Sequence, residues 1–458
     1  MDSQKLRTEG TRVIDIVADY WYGLRKRKPL PNVKPGFMTA LVPSTPPEAP
    51  EEWEKIYGDL EKVVFNPATH WNHPHFFAYF PAGLAYHSIM ADILSSGLSS
   101  VGFSWMACPS ITELEKVEEI KSNPSIFKWL CNSLIGKLVF DLLTLNFSGP
   151  NGNGISYDST DVITPFYHDP RVFQHFVMYF CDQGHSSIEK GAWLAGVRYR
   201  KLKAYKKYLG NYGLDPDALR KAIKEDSDRG YIPFMLVVTV GTTSTCGVDE
   251  IEKLTPICKK EGLYVHVDSA YAGISVFRKN PTIQTIKGSY ALCEENRYLV
   301  RGVEDVDSYN TNLHKAGMIN FDCSPMWFKN GIYASRYYNV NPVHLVHEYQ
   351  ASATDYRHLE IPLGRRFRSL KLWFTLRNWG VENIKNYMRQ VEREEHSNAE
   401  NERLCNAINK DCRIHIIPSS VHDVFLLRFA VGSPMSNIGD ARYAKKVIFE
   451  ITKKLFKK

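Results

Sequence analysis

Four short stretches of the chain carry side chains able to do chemistry. The first, LYVHVDSAYAG (263–273), is an apolar run that ends in Asp268 and passes into small residues. A carboxylate at the carboxyl end of a strand sits where α/β proteins bind ligands, though an acid there also serves as a helix cap. In TNLHKAGMINFDCSPMW (311–327), Lys315 follows His314 and is flanked by Gly317 and Phe321. Weakly polar surroundings disfavour a charged amine and favour a nucleophile, whereas a lone lysine more commonly lays its stem along the surface. DQGHSSIEKG (182–191) sets His185 before two serines, and TVGTTSTCGVDEI (239–251) follows a strand with hydroxyls and glycines. Taken singly, a loop histidine is an ordinary structural residue and a hydroxyl-rich loop is common.

Together the four meet the requirements of one cofactor. Pyridoxal phosphate chemistry needs a lysine to bond the cofactor aldehyde and a carboxylate to keep the ring nitrogen protonated. It also needs an aromatic face over the ring and donors for the phosphate. Lys315, Asp268 and His185 supply the first three in a workable chain order.

The elements that must position these groups alternate. Residues 234–240 read as a buried strand, 255–261 as part of a helix and 264–267 as the next strand, a βαβ pattern that implies a parallel sheet. Residues 11–27 have the apolar spacing of an amphipathic helix with a basic last turn, and seven prolines between 29 and 50 enforce an extended connection. Residues 371–403 read as helix and 413–431 as two strands, which predicts a small terminal α+β domain. Composition agrees with a soluble globular protein: 458 residues, 44% hydrophobic, 23% charged. A net charge of +7, evenly spread, argues against nucleic acid as a partner. Nine cysteines with no CxxC pair predict free thiols, and no HExxH or grouped carboxylates suggest a metal. The polar start, MDSQKLRTEG, and the short apolar runs predict no secretory signal and no membrane span, hence a cytoplasmic protein.

At this point a family resemblance is visible. HWNHPHFFAYFPAG (70–83), GFSWMACPSITELE (102–115), HSSIEKG (185–191), IPFMLVVTVGTTSTCGVDEI (232–251), LYVHVDSAYAG, NLHKAGMINFDCSPMW and TDYRHLEIPLGRRFRSLKLWF (354–374) resemble the group II pyridoxal phosphate-dependent amino acid decarboxylases, on the side of the animal aromatic-L-amino-acid decarboxylases. The resemblance implies an α/β, aspartate aminotransferase-like (type I) fold, with a mostly parallel central sheet and helices on both faces. It divides the chain into an N-terminal helical arm and dimerisation segment (1–85), a large cofactor-binding domain (86–370) and a shortened C-terminal domain (371–458). It implies that Lys315 holds the cofactor, that Asp268 pairs with the ring nitrogen above Ala270, and that His185 stacks on the other face. Thr243, Asn312 and His314 would line the cofactor site. Trp71, Tyr79, Phe80, Pro81, Val101 and Phe103 would wall a pocket for an aromatic substrate, reached across a homodimer interface. Gly364, where histidine decarboxylases tend to carry serine, favours a dopa, 5-hydroxytryptophan, tyrosine or tryptophan type of substrate.

The chain also departs from the family. The glycine-rich turn that binds the cofactor phosphate has no match in 137–176, where SGPNGNG (148–154) is the nearest substitute. A pocket threonine is Ala82, and the tyrosine of the mobile catalytic loop is replaced by His344, with Tyr349 five residues on. Residues 281–300 read as an insertion, and strands before RIHIIPSS read as deleted. These departures leave three readings open: an active decarboxylase, a relative with impaired cofactor binding, and an enzyme that diverts the same substrates to aldehydes.

Overall fold

A computed structural model of the chain describes residues 2–80, 82–121, 170–206, 211–271, 275–277, 286–288, 298–335, 338–339, 342–350, 352–353, 355–388, 398–433 and 435–455. Pro81 and most of the two atypical segments, 137–176 and 281–300, lie outside them. The chain divides into two compact units: Gly83–Glu394, and Met1–Ala82 together with Glu395–Lys458.

The larger unit is built on one sheet. Its strands are β1 (Phe176–Cys181), β2 (Arg198–Leu202), β3 (Ile232–Thr239), β4 (Tyr264–Asp268), β5 (Ser308–Asn310) and β6 (Met326–Phe328). Their order is β6-β5-β4-β3-β1-β2. All pairings are parallel except β5 with β6. Alternate residues of β1 serve opposite faces, as the two-residue period requires. Val177, Tyr179 and Cys181 join Leu219 and Leu254, from the helices Pro216–Asp228 and Ile251–Glu261, in one core. Met178 and Phe180 pack with Ile188 and Ala192 of the helix Ser186–Ala195 on the other side. The mostly parallel sheet with helices on both faces is thus the architecture expected from sequence. Arg365 is buried against Glu115 (2.7 Å) and Glu360 (2.5 Å). The helix Arg368–Met388 packs on the helix Tyr86–Leu98, and at Gly380 its backbone turns to φ 73°.

In the smaller unit the strands Ile417–Val421 and Val424–Arg428 pair antiparallel across a two-residue turn at His422, whose φ is 48°. Phe77, Leu404, Ile408, Ile416, Val447 and Ile451 form its core. The N-terminal helix begins earlier than its apolar stripe suggests, at Ser3. There the Asp2 side chain accepts hydrogen bonds from the Gln4 and Lys5 amides. It buries none of its residues, and Leu6, Val13 and Ile14 stay exposed. The described cysteines form no disulfide with one another, and burial pushes Cys258 up to about 12 and Cys181 further still. No helix among the described residues is long and apolar enough to cross a membrane.

His73 makes the smaller unit acid-sensitive. Its ring is 2% exposed, and burial, reinforced by the neighbouring His75, lowers its pKa to about 4. The unfolded chain takes up this proton near pH 6.5 while the folded chain resists it. Stability is therefore full above pH 6.5 and declines as pH falls towards 4, by up to about 3 kcal/mol. Urea midpoints at pH 7 and pH 4.5 should diverge for the natural chain, and less so for His73→Asn.

Candidate active site

The parallel register lines up the tips of three strands. Thr239 stands opposite Asp268, and Asp268 opposite Asn310. These tips open into a cavity of about 670 Å³ in the larger unit. Lys315, Asp268, His185, Thr243, Ala270 and Asn312 all line it, so residues scattered over 131 positions of sequence share one space.

Hydrogen bonds through the backbone tie the acid to the amine. Asp268 Oδ1 accepts from the Ala270 amide at 3.0 Å. The Ala270 carbonyl accepts from the Asn312 amide at 3.1 Å, and the Asn312 carbonyl accepts from the Lys315 amide at 3.1 Å. Lys315 itself lies in the short helix Leu313–Ala316, which places its side chain at the cavity wall. Gly83 braces this helix from outside: its amide donates to the His314 carbonyl at 2.7 Å.

His185 is the N-cap of the helix Ser186–Ala195. Its Nδ1 accepts from the Ser187 amide at 3.2 Å, which leaves Nε2 to carry the proton of the neutral ring. His266, two residues before Asp268 on the same face of β4, also lines the cavity, with Nδ1 2.8 Å from Ser308 Oγ. Burial pushes His266 below its ordinary pKa, against the pull of the Asp268 charge. At neutral pH it is an uncharged neighbour of that carboxylate.

Other residues named from sequence lie elsewhere. His314 does not line the cavity; its Nδ1 contacts the Cys323 carbonyl at 2.9 Å and its ring meets Phe321 edge-on. His344 is exposed in the turn Val343–Leu345, and Tyr349 rests against Trp105 with ring centroids 4.6 Å apart. Val101 faces Gly364, where an added Cβ would lie 3.4 Å from the Val101 side chain. In the smaller unit Trp71 stacks on Tyr79 at 5.1 Å, and Arg428 covers the Phe80 ring. Ala82 is half-buried. The sequence pattern does not single out Asn310, Ser324 or His266, all of which line the cavity.

Comparison with known proteins identifies the family. The family model for the pyridoxal-dependent decarboxylase conserved domain matches residues 35–122 and 164–425. The chain belongs to the pyridoxal-dependent decarboxylase family. It is 36% identical to the aromatic-L-amino-acid decarboxylase of Rattus norvegicus, over 94% of each chain. Among solved structures it is similar to Oryza sativa TDC with PLP and tryptamine (TM-score 0.82, 25% identity, 99% of each chain). It is also similar to Catharanthus roseus tryptophan decarboxylase in complex with L-tryptophan (TM-score 0.79, 25% identity, 99% of each chain).

The cofactor of this family, pyridoxal 5′-phosphate, suits what the cavity offers. An amine, a strand-tip carboxylate, an imidazole and several amide and hydroxyl groups face one volume. Thr239 Oγ1 lies buried there with no hydrogen-bond partner among the described residues, as a polar atom awaiting a ligand would. No cluster of metal-ligating side chains occurs among the described residues.

Gly83 yields a test of this decarboxylase site. A Cβ added there would lie 2.8 Å from the Lys315 carbonyl oxygen and 2.9 Å from the Met318 amide nitrogen, both backbone atoms. Gly83→Ala should therefore displace the helix that carries Lys315. We expect about 1–3 kcal/mol of lost stability in urea titration and weaker retention of pyridoxal phosphate on dialysis.

Proposed function

We infer that the protein is a carboxy-lyase that decarboxylates aromatic L-amino acids to aromatic amines and carbon dioxide with pyridoxal 5′-phosphate. The observation that carries this reading is the shared cavity of Lys315 and Asp268, in a chain of the decarboxylase family. When bound, the cofactor supplies an aldehyde that bonds amines and a ring that accepts the electron pair released with carbon dioxide. Lys315 would hold the cofactor aldehyde through its side-chain amine. The Asp268 carboxylate would favour a proton on the ring nitrogen, the form in which the ring accepts electrons better. His185 would lie against the ring. His344 is the proposed proton donor to the substrate Cα, because an imidazole can pass a proton through either ring nitrogen.

Trp71, Tyr79, Phe80, Pro81, Val101 and Phe103 are the proposed wall for the aromatic ring, which gains from flat apolar packing. Gly364 is proposed to favour phenol and indole substrates over histidine. Such substrates give amines of the catecholamine and serotonin type. A homodimer is proposed on two observations. Ile93, Leu94 and Leu98 are exposed on the helix Tyr86–Leu98, and Leu6, Val13 and Ile14 are exposed on the N-terminal helix. We place the protein in the cytoplasm, in keeping with the thiol state of its described cysteines.

Two experiments test the reading. The protein reconstituted with pyridoxal phosphate should release carbon dioxide from dopa, 5-hydroxytryptophan, tyrosine or tryptophan. Lys315→Ala should abolish both that release and the visible absorption of lysine-bound cofactor, and activity surviving the change would overturn the assigned nucleophile. For the loop, His344→Phe should lower amine output at least tenfold and raise the aldehyde, ammonia and peroxide by-products, read by chromatography of the products. An unchanged product ratio would remove His344 from the proton transfer.

A further inference from the structure

Three polar side chains at the β5 tip form a directed network. The antiparallel pairing of β6 with β5 folds the segment before Met326 back over residues 310–312, where the Thr311 amide donates to the Pro325 carbonyl at 3.2 Å. This brings Ser324 beside Asn310 and Asn312, and all three line the cavity. Asn310 Nδ2 reaches Ser324 Oγ at 3.4 Å and Asn312 Oδ1 at 3.5 Å. Ser324 Oγ lies 2.5 Å from Asn312 Oδ1.

Donors and distances together set the direction of these bonds. Asn310 Nδ2 donates to Ser324 Oγ, so the serine oxygen accepts there; of the two acceptors for its own proton, Asn312 Oδ1 at 2.5 Å and the Thr311 carbonyl at 3.4 Å, the nearer takes it. The atom of Asn312 that receives it must be the carbonyl oxygen. The Asn312 Nδ2 group, with two protons, then occupies the other arm of the amide. It makes no hydrogen bond among the described residues. The Asn312 backbone cannot drift, because its amide and carbonyl are committed to Ala270 and Lys315. A fixed pair of N–H donors on the cavity wall, one helical turn from the amine, suits an anionic oxygen.

We propose that Ser324, backed by Asn310, is a positioning residue that aims the Asn312 amide at the phosphate of the cofactor. The proposal rests on the pyridoxal phosphate reading and deepens it. It also assigns a phosphate-directed group to a chain whose sequence offers no match to the glycine-rich turn of its family.

The test compares two ligands that differ only in the phosphate. Dissociation constants for pyridoxal 5′-phosphate and for pyridoxal are measured on the full-length apoprotein by quenching of tryptophan fluorescence. Ser324→Ala should weaken pyridoxal phosphate roughly tenfold and leave pyridoxal unchanged; Ser324→Thr, which keeps the hydroxyl, should restore most of the loss. Asn312→Ala should weaken pyridoxal phosphate at least as much, and adding Ser324→Ala to it should cost nothing further. Equal weakening of both ligands, or no weakening of either, would overturn the proposal. Failure of the natural chain to bind pyridoxal phosphate at all would overturn the cofactor reading first. A matching urea midpoint for Ser324→Ala and the natural chain confirms that folding is intact.

Discussion

The site depends on a relay of three hydrogen bonds, one from a backbone amide to the Asp268 side chain and two between peptide groups. Asp268 holds Ala270, Ala270 holds Asn312 and Asn312 holds Lys315, each at 3.0–3.1 Å. No side-chain contact between the acid and the amine is needed to fix their relation, because the intervening peptide groups do it. The two bonds between peptide groups are short and directional, and they do not depend on protonation state. The acid and the amine, the two proposed anchors of the cofactor, are thereby held in register through the backbone between them.

The sheet supplies the frame for that relay. Parallel strands end on one side, so Thr239, Asp268 and Asn310 arrive at a common edge through register alone. The frame is itself anchored by Asp249, a fully buried carboxylate that accepts from the Thr239 amide at 2.8 Å and the Leu214 amide at 2.7 Å. A buried charge is costly unless its lone pairs are met. Here they are met by amides that fix the end of β3, so its desolvation is offset by the order it imposes on the strand tip.

Much of this is legible in the sequence. A continuous apolar run ending in Asp268 marks a buried parallel strand and its functional end, and the alternation of strand and helix marks the sheet. Asn310 and Ser324 carry no such mark. Polar residues near a strand end look like loop, and only the antiparallel return of β6 shows that they meet. The N-terminal helix is half visible, since residues 3–10 have no apolar stripe and it is Asp2 capping that starts the helix there. The region 371–403 reads as one helix because apolar spacing persists through it. The backbone departs at Gly380, a residue able to adopt positive φ without a Cβ clash, and the helix is described as far as Met388.

The distribution of thiols has a practical corollary. Cys181 and Cys258 sit in the core with their thiolate forms strongly disfavoured, whereas Cys108 and Cys412 are partly accessible to solvent. Maleimide reagents attack thiolates, so among the described cysteines they would at neutral pH pass over the two core sulfurs and react at the accessible pair. Cys412 follows the last residue of the helix Asn398–Asp411, in the smaller unit rather than the one that houses the cavity. A fluorophore attached there would report on the smaller unit.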